Sequence, residues 1–191
     1  AFAVPMLGFA AMDETTNRPV ALVGLMGAGK SSVARVLGER LGASVADLDT
    51  MIEAGEGGSI AELFERSGEA WFRRREGELL GQVLRQGVRV IACGGGLVTD
   101  AKHRRELRER CTVVWLEVTP AEAARRVSAQ AAPPAGVRPL LAGGAPESRR
   151  RELLAGRETL YAEVAHVRVP TDGRDAGQVA DAVLRALAGG T

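Results

Sequence analysis

Short apolar runs alternate with longer stretches in which apolar positions recur every three or four residues, from residue 19 to residue 187. The short runs read as strands and the longer pattern as amphipathic helices, so the alternation predicts βαβ units built around a parallel sheet. Strands are expected at 19–23, 43–48, 88–93, 112–118 and 166–169. Helices are expected over 29–41, 59–66, 69–86, 100–109, 147–164 and 176–187, with another opening at Pro120, a first-turn position that proline tolerates. Residues 128–148 break the pattern by turning to Ala, Pro and Gly. That stretch is too long for an ordinary connection and predicts a mobile lid. There is no internal repeat and no second domain, so 18–191 reads as one domain behind an N-terminal extension, 1–17.

Composition narrows the class without naming a function. Of 191 residues, 46 % are apolar, enough for one packed core and too many for a disordered chain. The 25 basic and 24 acidic residues leave a net charge of +1, which gives no electrostatic basis for binding nucleic acid or an anionic membrane. Cys93 and Cys111 match no zinc spacing and are too few for a disulfide framework. They read as buried strand residues in a reducing cytoplasm. Residues 1–12 are apolar but too short to span a bilayer, and they lack the basic start of a signal peptide. Met12 followed by polar 13–16 looks like a natural start, so 1–11 are set aside as a gene-start artefact.

The strongest chemical signal is Gly24-Leu25-Met26-Gly27-Ala28-Gly29-Lys30-Ser31, which fits the Walker A spacing with a strand before it and a helix after it. Its glycines let backbone N–H groups converge on phosphate oxygens, and the helix N-terminus adds its positive end. Lys30 is expected to reach the β- and γ-phosphates of ATP and Ser31 to bind Mg2+. A dinucleotide site is disfavoured because no G-x-G-x-x-G occurs in this turn.

Other candidates cluster at predicted strand ends, where open parallel sheets bind ligands. Asp47-Leu48-Asp49 ends the second predicted strand, and a period of two points both carboxylates to one side, although turn or N-cap duty fits this short motif as well. On the helix that follows, Arg73 borders the Phe72, Leu79, Leu80, Val83 stripe and meets Glu76 at i+3, a pairing able to hold its guanidinium. Arg74 and Arg75 read as solvated. Gly94-Gly95-Gly96 allows a ligand to approach bare backbone, or forms a flexible turn. Arg157 falls inside the inward stripe of Leu153, Leu160, Tyr161 and Val164, so it needs an anion, either an internal carboxylate or a ligand. Arg149, Arg150 and Arg151 read as a solvated face.

Together the phosphate loop, Asp47-Leu48-Asp49, Phe72-Arg73-Arg74, Gly94-Gly95-Gly96, Arg138-Pro139-Leu140-Leu141 and Arg157-x-x-x-Tyr161 closely resemble the shikimate kinases, from about residue 19 to 187. The resemblance implies an α/β P-loop NTPase fold of the nucleoside monophosphate kinase type, with five parallel strands in order 2-3-1-4-5. It implies transfer of the γ-phosphoryl group of ATP to the 3-hydroxyl of shikimate in chorismate and aromatic amino-acid biosynthesis, with Mg2+, in a cytoplasmic monomer. By that similarity Asp49, Arg73, Gly95 and Arg157 hold shikimate, with Asp49 taking the proton of the attacking hydroxyl. Gly27, Ala28, Gly29, Lys30, Ser31 and Ser32 hold the nucleotide phosphates, Ser31 and Asp47 serve the metal, and Arg138 on the lid reaches the phosphates. Arg126 and Arg174 flank the adenine, or else are surface arginines. The chain departs from the family in a longer, Ala- and Pro-rich 126–138 stretch, in Ser32 where Thr is common, and in Cys93 before the triple glycine, which suggests thiol-sensitive activity.

Four other readings share parts of this pattern. A gluconate-type kinase shares fold and phosphate loop, but the Asp49, Arg73, Gly95, Arg157 set favours shikimate. A nucleoside monophosphate kinase needs a base-reading pocket that residues 59–75 do not supply, and a GTPase needs an N-K-x-D motif that is absent. A nucleotide-binding module without turnover is opposed by intact Lys30, Ser31 and Asp49.

Overall fold

The computed structural model describes residues 18–129 and 147–189. Strands β1 (Val20–Val23), β2 (Val45–Asp47), β3 (Val90–Ala92), β4 (Thr112–Glu117) and β5 (Val167–Pro170) form one sheet in the order β2-β3-β1-β4-β5. Each neighbouring pair is parallel, with Ala21 level with both Ile91 and Val113. Strands buried on both faces read as continuous apolar runs, and β1, β3 and β4 do so. The expected fold class and strand order are both present.

Seven helices are described: α1 (Lys30–Leu41), α2 (Leu48–Glu56), α3 (Ile60–Arg85), α4 (Ala101–Arg110), α5 (Pro120–Ala129), α6 (Glu147–Val164) and α7 (Ala176–Ala188). Helix α1 packs on β2, β3 and α7, while α4 and α6 pack on each other and on β4. The core between them is aliphatic, with Leu22, Leu37, Ile52, Leu80, Ile91, Leu107 and Leu116 fully buried. Ser59 and Glu62 close α3 with a reciprocal capping box, and Asp175 and Gln178 do the same for α7.

Two features differ from the sequence reading. Helix α2 replaces what had read as a strand end and loop, because Asp47, the last residue of β2, also caps it, accepting from Thr50 N–H at 3.1 Å. Asp49 therefore sits in the first turn of α2, and the period-two argument for Asp47 and Asp49 fails. The expected helices 59–66 and 69–86 are one helix by hydrogen bonding, but Gly68 breaks its backbone at φ 78°, ψ 167°, where two helices were expected to meet. Of the expected lid, 128–129 end α5 and 147–148 begin α6, whereas 130–146, with Arg138, lie outside the described residues, as does the extension 1–17.

Candidate active site

The carboxyl ends of β1, β2 and β3 lie level with one another, with Leu22 and Asp47 both opposite Ala92. Chain leaving these ends builds the site. After β1 the phosphate loop runs to α1, with Gly27 at φ 83°, a conformation side chains rarely adopt. A Cβ at Gly27 would also stand 2.6 Å from the Ala123 carbonyl oxygen of α5. The loop therefore takes its shape from backbone alone, backed by buried Ala28. Lys30 Nζ donates to the carbonyls of Gly24 and Leu25, each at 2.9 Å, and so lies folded along the loop. Ser31 and Ser32 are exposed in the first turn of α1.

After β3 the triple glycine turns across the phosphate loop, where a Cβ on Gly95 would sit 3.6 Å from Met26 N. Three charged side chains crowd the same turn. A Cβ on Gly94 would lie 2.0 Å from Glu76 Oε1 and 2.8 Å from Asp49 Oδ1, so both carboxylates border that α-carbon. A Cβ on Gly96 would lie 2.2 Å from Arg73 Nη2, so the guanidinium rests on bare backbone. The turn is itself fixed by buried Tyr161, whose hydroxyl donates to the Gly95 carbonyl at 2.5 Å.

Arg73 pairs with Glu76 at 2.5 Å and Glu69 at 3.1 Å, and its guanidinium carbon lies 5.7 Å and 5.5 Å from the ring centres of Phe64 and Phe72. Burial lowers its pKa, but the two carboxylates more than offset this. Glu76 is fully buried, and its Oε1 has no hydrogen-bond partner among the described residues. Burial pushes its pKa up to about 7 against the opposing pull of Arg73, and neighbouring Asp49 adds to the rise. Arg157 is half-buried and near enough for its charge to favour the ionised forms of Glu76 and Tyr161. The structure thus brings Lys30, Asp49, Arg73, Gly95 and Arg157 to one place. It adds Glu76, noted in the sequence only as a partner of Arg73, and Tyr161, noted only as part of an inward stripe and a motif.

Arg126 is no loose surface arginine. Its Nε donates to Glu122 at 2.7 Å and its Nη2 to the Thr171 carbonyl at 2.6 Å. Longer contacts reach Thr171 Oγ1 at 3.3 Å and the Gly27 and Arg174 carbonyls at 3.4 Å. Every N–H edge is directed at an acceptor, which leaves the planar faces for stacking. Arg174 is exposed and donates to the Pro170 carbonyl at 3.2 Å. Two expectations are corrected. Arg75 is not simply solvated but pairs with Glu56 at 2.7 Å and Glu78 at 3.1 Å, tying α3 to α2. Cys93 is buried with its thiol pKa pushed well up by that burial, so the reactive thiolate needed for thiol sensitivity is disfavoured.

A parallel sheet of order 2-3-1-4-5, opening onto a phosphate loop with a carboxylate and guanidinium cluster beside it, defines a P-loop phosphotransferase of the nucleoside monophosphate kinase type. Comparison with known proteins names the family. The shikimate kinase model matches residues 26–188. The shikimate kinase of Symbiobacterium thermophilum is 40 % identical over 170 residues, covering 88 % of this chain and 95 % of that one. Among solved structures, shikimate kinase from Acinetobacter baumannii in complex with shikimate is 38 % identical with a TM-score of 0.80, covering 88 % of this chain and 91 % of that one. The Aquifex aeolicus enzyme is 27 % identical with a TM-score of 0.75, covering 90 % and 96 %. The chain belongs to the shikimate kinase family and is an ATP-dependent kinase.

Proposed function

We infer that this chain binds ATP and shikimate and moves the γ-phosphoryl group of ATP to the shikimate 3-hydroxyl, giving 3-phosphoshikimate and ADP on the way to chorismate. The observation that carries this reading is the gathering of Asp49, Arg73 and Glu76 on Gly94–Gly96, directly against the phosphate loop. A small acid with ring hydroxyls needs a cationic fork for its carboxylate and an acceptor for its hydroxyls, and this cluster supplies both.

Arg73, with its edge set by Glu76 and Glu69, and Arg157 grip the substrate carboxylate, while the Gly95 backbone lets the ring approach. Asp49 accepts the proton of the 3-hydroxyl as that oxygen forms its bond to Pγ and the bond from Pγ to the bridging oxygen of ADP breaks. Lys30 exchanges its two carbonyl partners for phosphate oxygens, and Gly27, Ala28, Gly29, Ser31 and Ser32 present N–H and hydroxyl donors around them. Arg126 and Arg174 flank the base, and Arg138 neutralises phosphate charge.

The donor set also fits Mg2+. Ser31 and Asp47 are hard oxygen donors, and Asp47 spends one oxygen on the Thr50 N–H cap and keeps the second. No group of three or more acidic, His or Cys side chains able to hold a metal exists among the described residues, which suits an ion held by one or two side chains plus phosphates. When bound, Mg2+ offsets phosphate charge. Two free thiols suit a reducing cytoplasm, and the balanced charge suits a protein with no nucleic-acid or membrane partner. No described helix is long and apolar enough to cross a membrane.

Steady-state kinetics of two variants test the roles. Asp49→Asn is expected to lower kcat by at least about 100-fold while ADP binding persists. Arg73→Lys is expected to raise the KM for shikimate about tenfold, since a lysine cannot reproduce the fork. Near wild-type kcat in Asp49→Asn would remove it as the proton acceptor.

A further inference from the structure

Two polar links join the turn after β5 to the end of β4 and to α5. Asp172 accepts from Thr119 with both oxygens, from the backbone N–H at 3.0 Å and from the hydroxyl at 2.6 Å. The same Thr119 hydroxyl accepts from Glu122 N–H at 3.3 Å, so it also caps α5. Thr171 is fully buried. Its hydroxyl donates to the Glu117 carbonyl at 3.1 Å and accepts from Arg126 at 3.3 Å, and its own carbonyl takes the 2.6 Å bond from Arg126. Arg126 in turn reaches the Gly27 carbonyl of the phosphate loop.

We propose that Thr171 and Asp172 are positioning residues for the nucleotide, acting through Arg126 and Thr119 to hold the base-side turn and the phosphate loop at a fixed separation. The proposal rests on reading this region as the nucleotide site. Neither side chain needs to touch ATP. Thr171 fixes the plane of Arg126, whose hydrogen-bonded edges leave a face for a purine, and Asp172 fixes the helix that carries Arg126. Freed from either, Arg126 and the 171–174 turn can shift relative to Gly27, and base and phosphates no longer find their partners together. The acceptor cluster on α2, α3 and the triple glycine shares none of these bonds, so shikimate binding is expected to be indifferent to them.

The test compares wild type with Thr171→Val, Thr171→Ser and Asp172→Ala. Each is assayed for MgADP affinity by calorimetry and for KM towards ATP and towards shikimate. Thr171→Val keeps the side-chain shape and removes only hydrogen bonds, while Asp172 is exposed and its loss leaves the core intact. The expected result is an MgADP affinity and an ATP KM about tenfold weaker in Thr171→Val and Asp172→Ala, a shikimate KM within about twofold, and recovery in Thr171→Ser. Unchanged ATP KM in both deletions, equal weakening towards both substrates, or failure of Thr171→Ser to recover would overturn the proposal. A wild-type protein that binds no MgADP would instead overturn the nucleotide-site reading beneath it.

Discussion

Replacing Glu76 by Gln isolates one buried proton and should change how stability responds to pH. Glu76 is completely buried, with one oxygen on Arg73 and the other without a partner among the described residues. Burial, set against Arg73, raises its pKa from the ordinary 4.5 to about 7. The folded protein therefore holds a proton that the unfolded chain releases, and the resulting stability is fully present below pH 4.5 and lost as pH rises through 7. At ~1.4 kcal/mol for each pH unit of displacement, this amounts to about 3 kcal/mol, most of which disappears between pH 5 and pH 8. Gln has no proton to lose. Urea unfolding of wild type and Glu76→Gln at pH 5, 6, 7 and 8 gives the difference, because groups remote from Glu76 titrate alike in both. Wild type should fall relative to the variant by about 2–3 kcal/mol over that range. A difference that stays constant, or that grows in favour of wild type with rising pH, would refute the burial argument.

Two further substitutions test the geometry. Gly96→Ala places a methyl 2.2 Å from the Arg73 guanidinium, so the KM for shikimate should rise at least about tenfold while calorimetry shows MgADP affinity retained. Asp47→Ala removes the α2 cap and should cost about 1 kcal/mol in urea unfolding, while Asp47→Ser restores the cap without restoring a carboxylate. A KM for MgATP that remains raised in Asp47→Ser would then separate metal duty from capping.

What the sequence made legible was whatever local pattern encodes. The phosphate loop is contiguous and sits between a strand and a helix of the right periods, so its place and its partner Lys30 followed directly. The helix break at Gly68 was visible as a lapse in helical pattern. Helix α2 was not, because its nine residues follow β2 without a connecting loop and Asp47 serves as both strand end and cap. Misreading that junction also misdirected Asp47 and Asp49, since helical and extended periods send neighbouring side chains to different places. The burial of Glu76 was equally hidden: Glu is among the residues least often buried, and only the fold brings Gly94 against it. The Arg126, Thr171 and Gly27 contacts span 45 and 99 residues, separations at which spacing carries no signal. Arg138 and the stretch from 130 to 146 lie outside the described residues, so their part in the site rests on the family resemblance.

The most direct test of the account is ADP release from MgATP by the wild-type protein with shikimate, gluconate, AMP or no acceptor, followed by NMR location of the phosphate on the product. The account predicts turnover with shikimate alone and a phosphate on the 3-hydroxyl. Turnover with gluconate or AMP but not shikimate would contradict the assignment of Asp49, Arg73 and Arg157 to shikimate, and ATP binding without turnover on any acceptor would contradict catalysis itself.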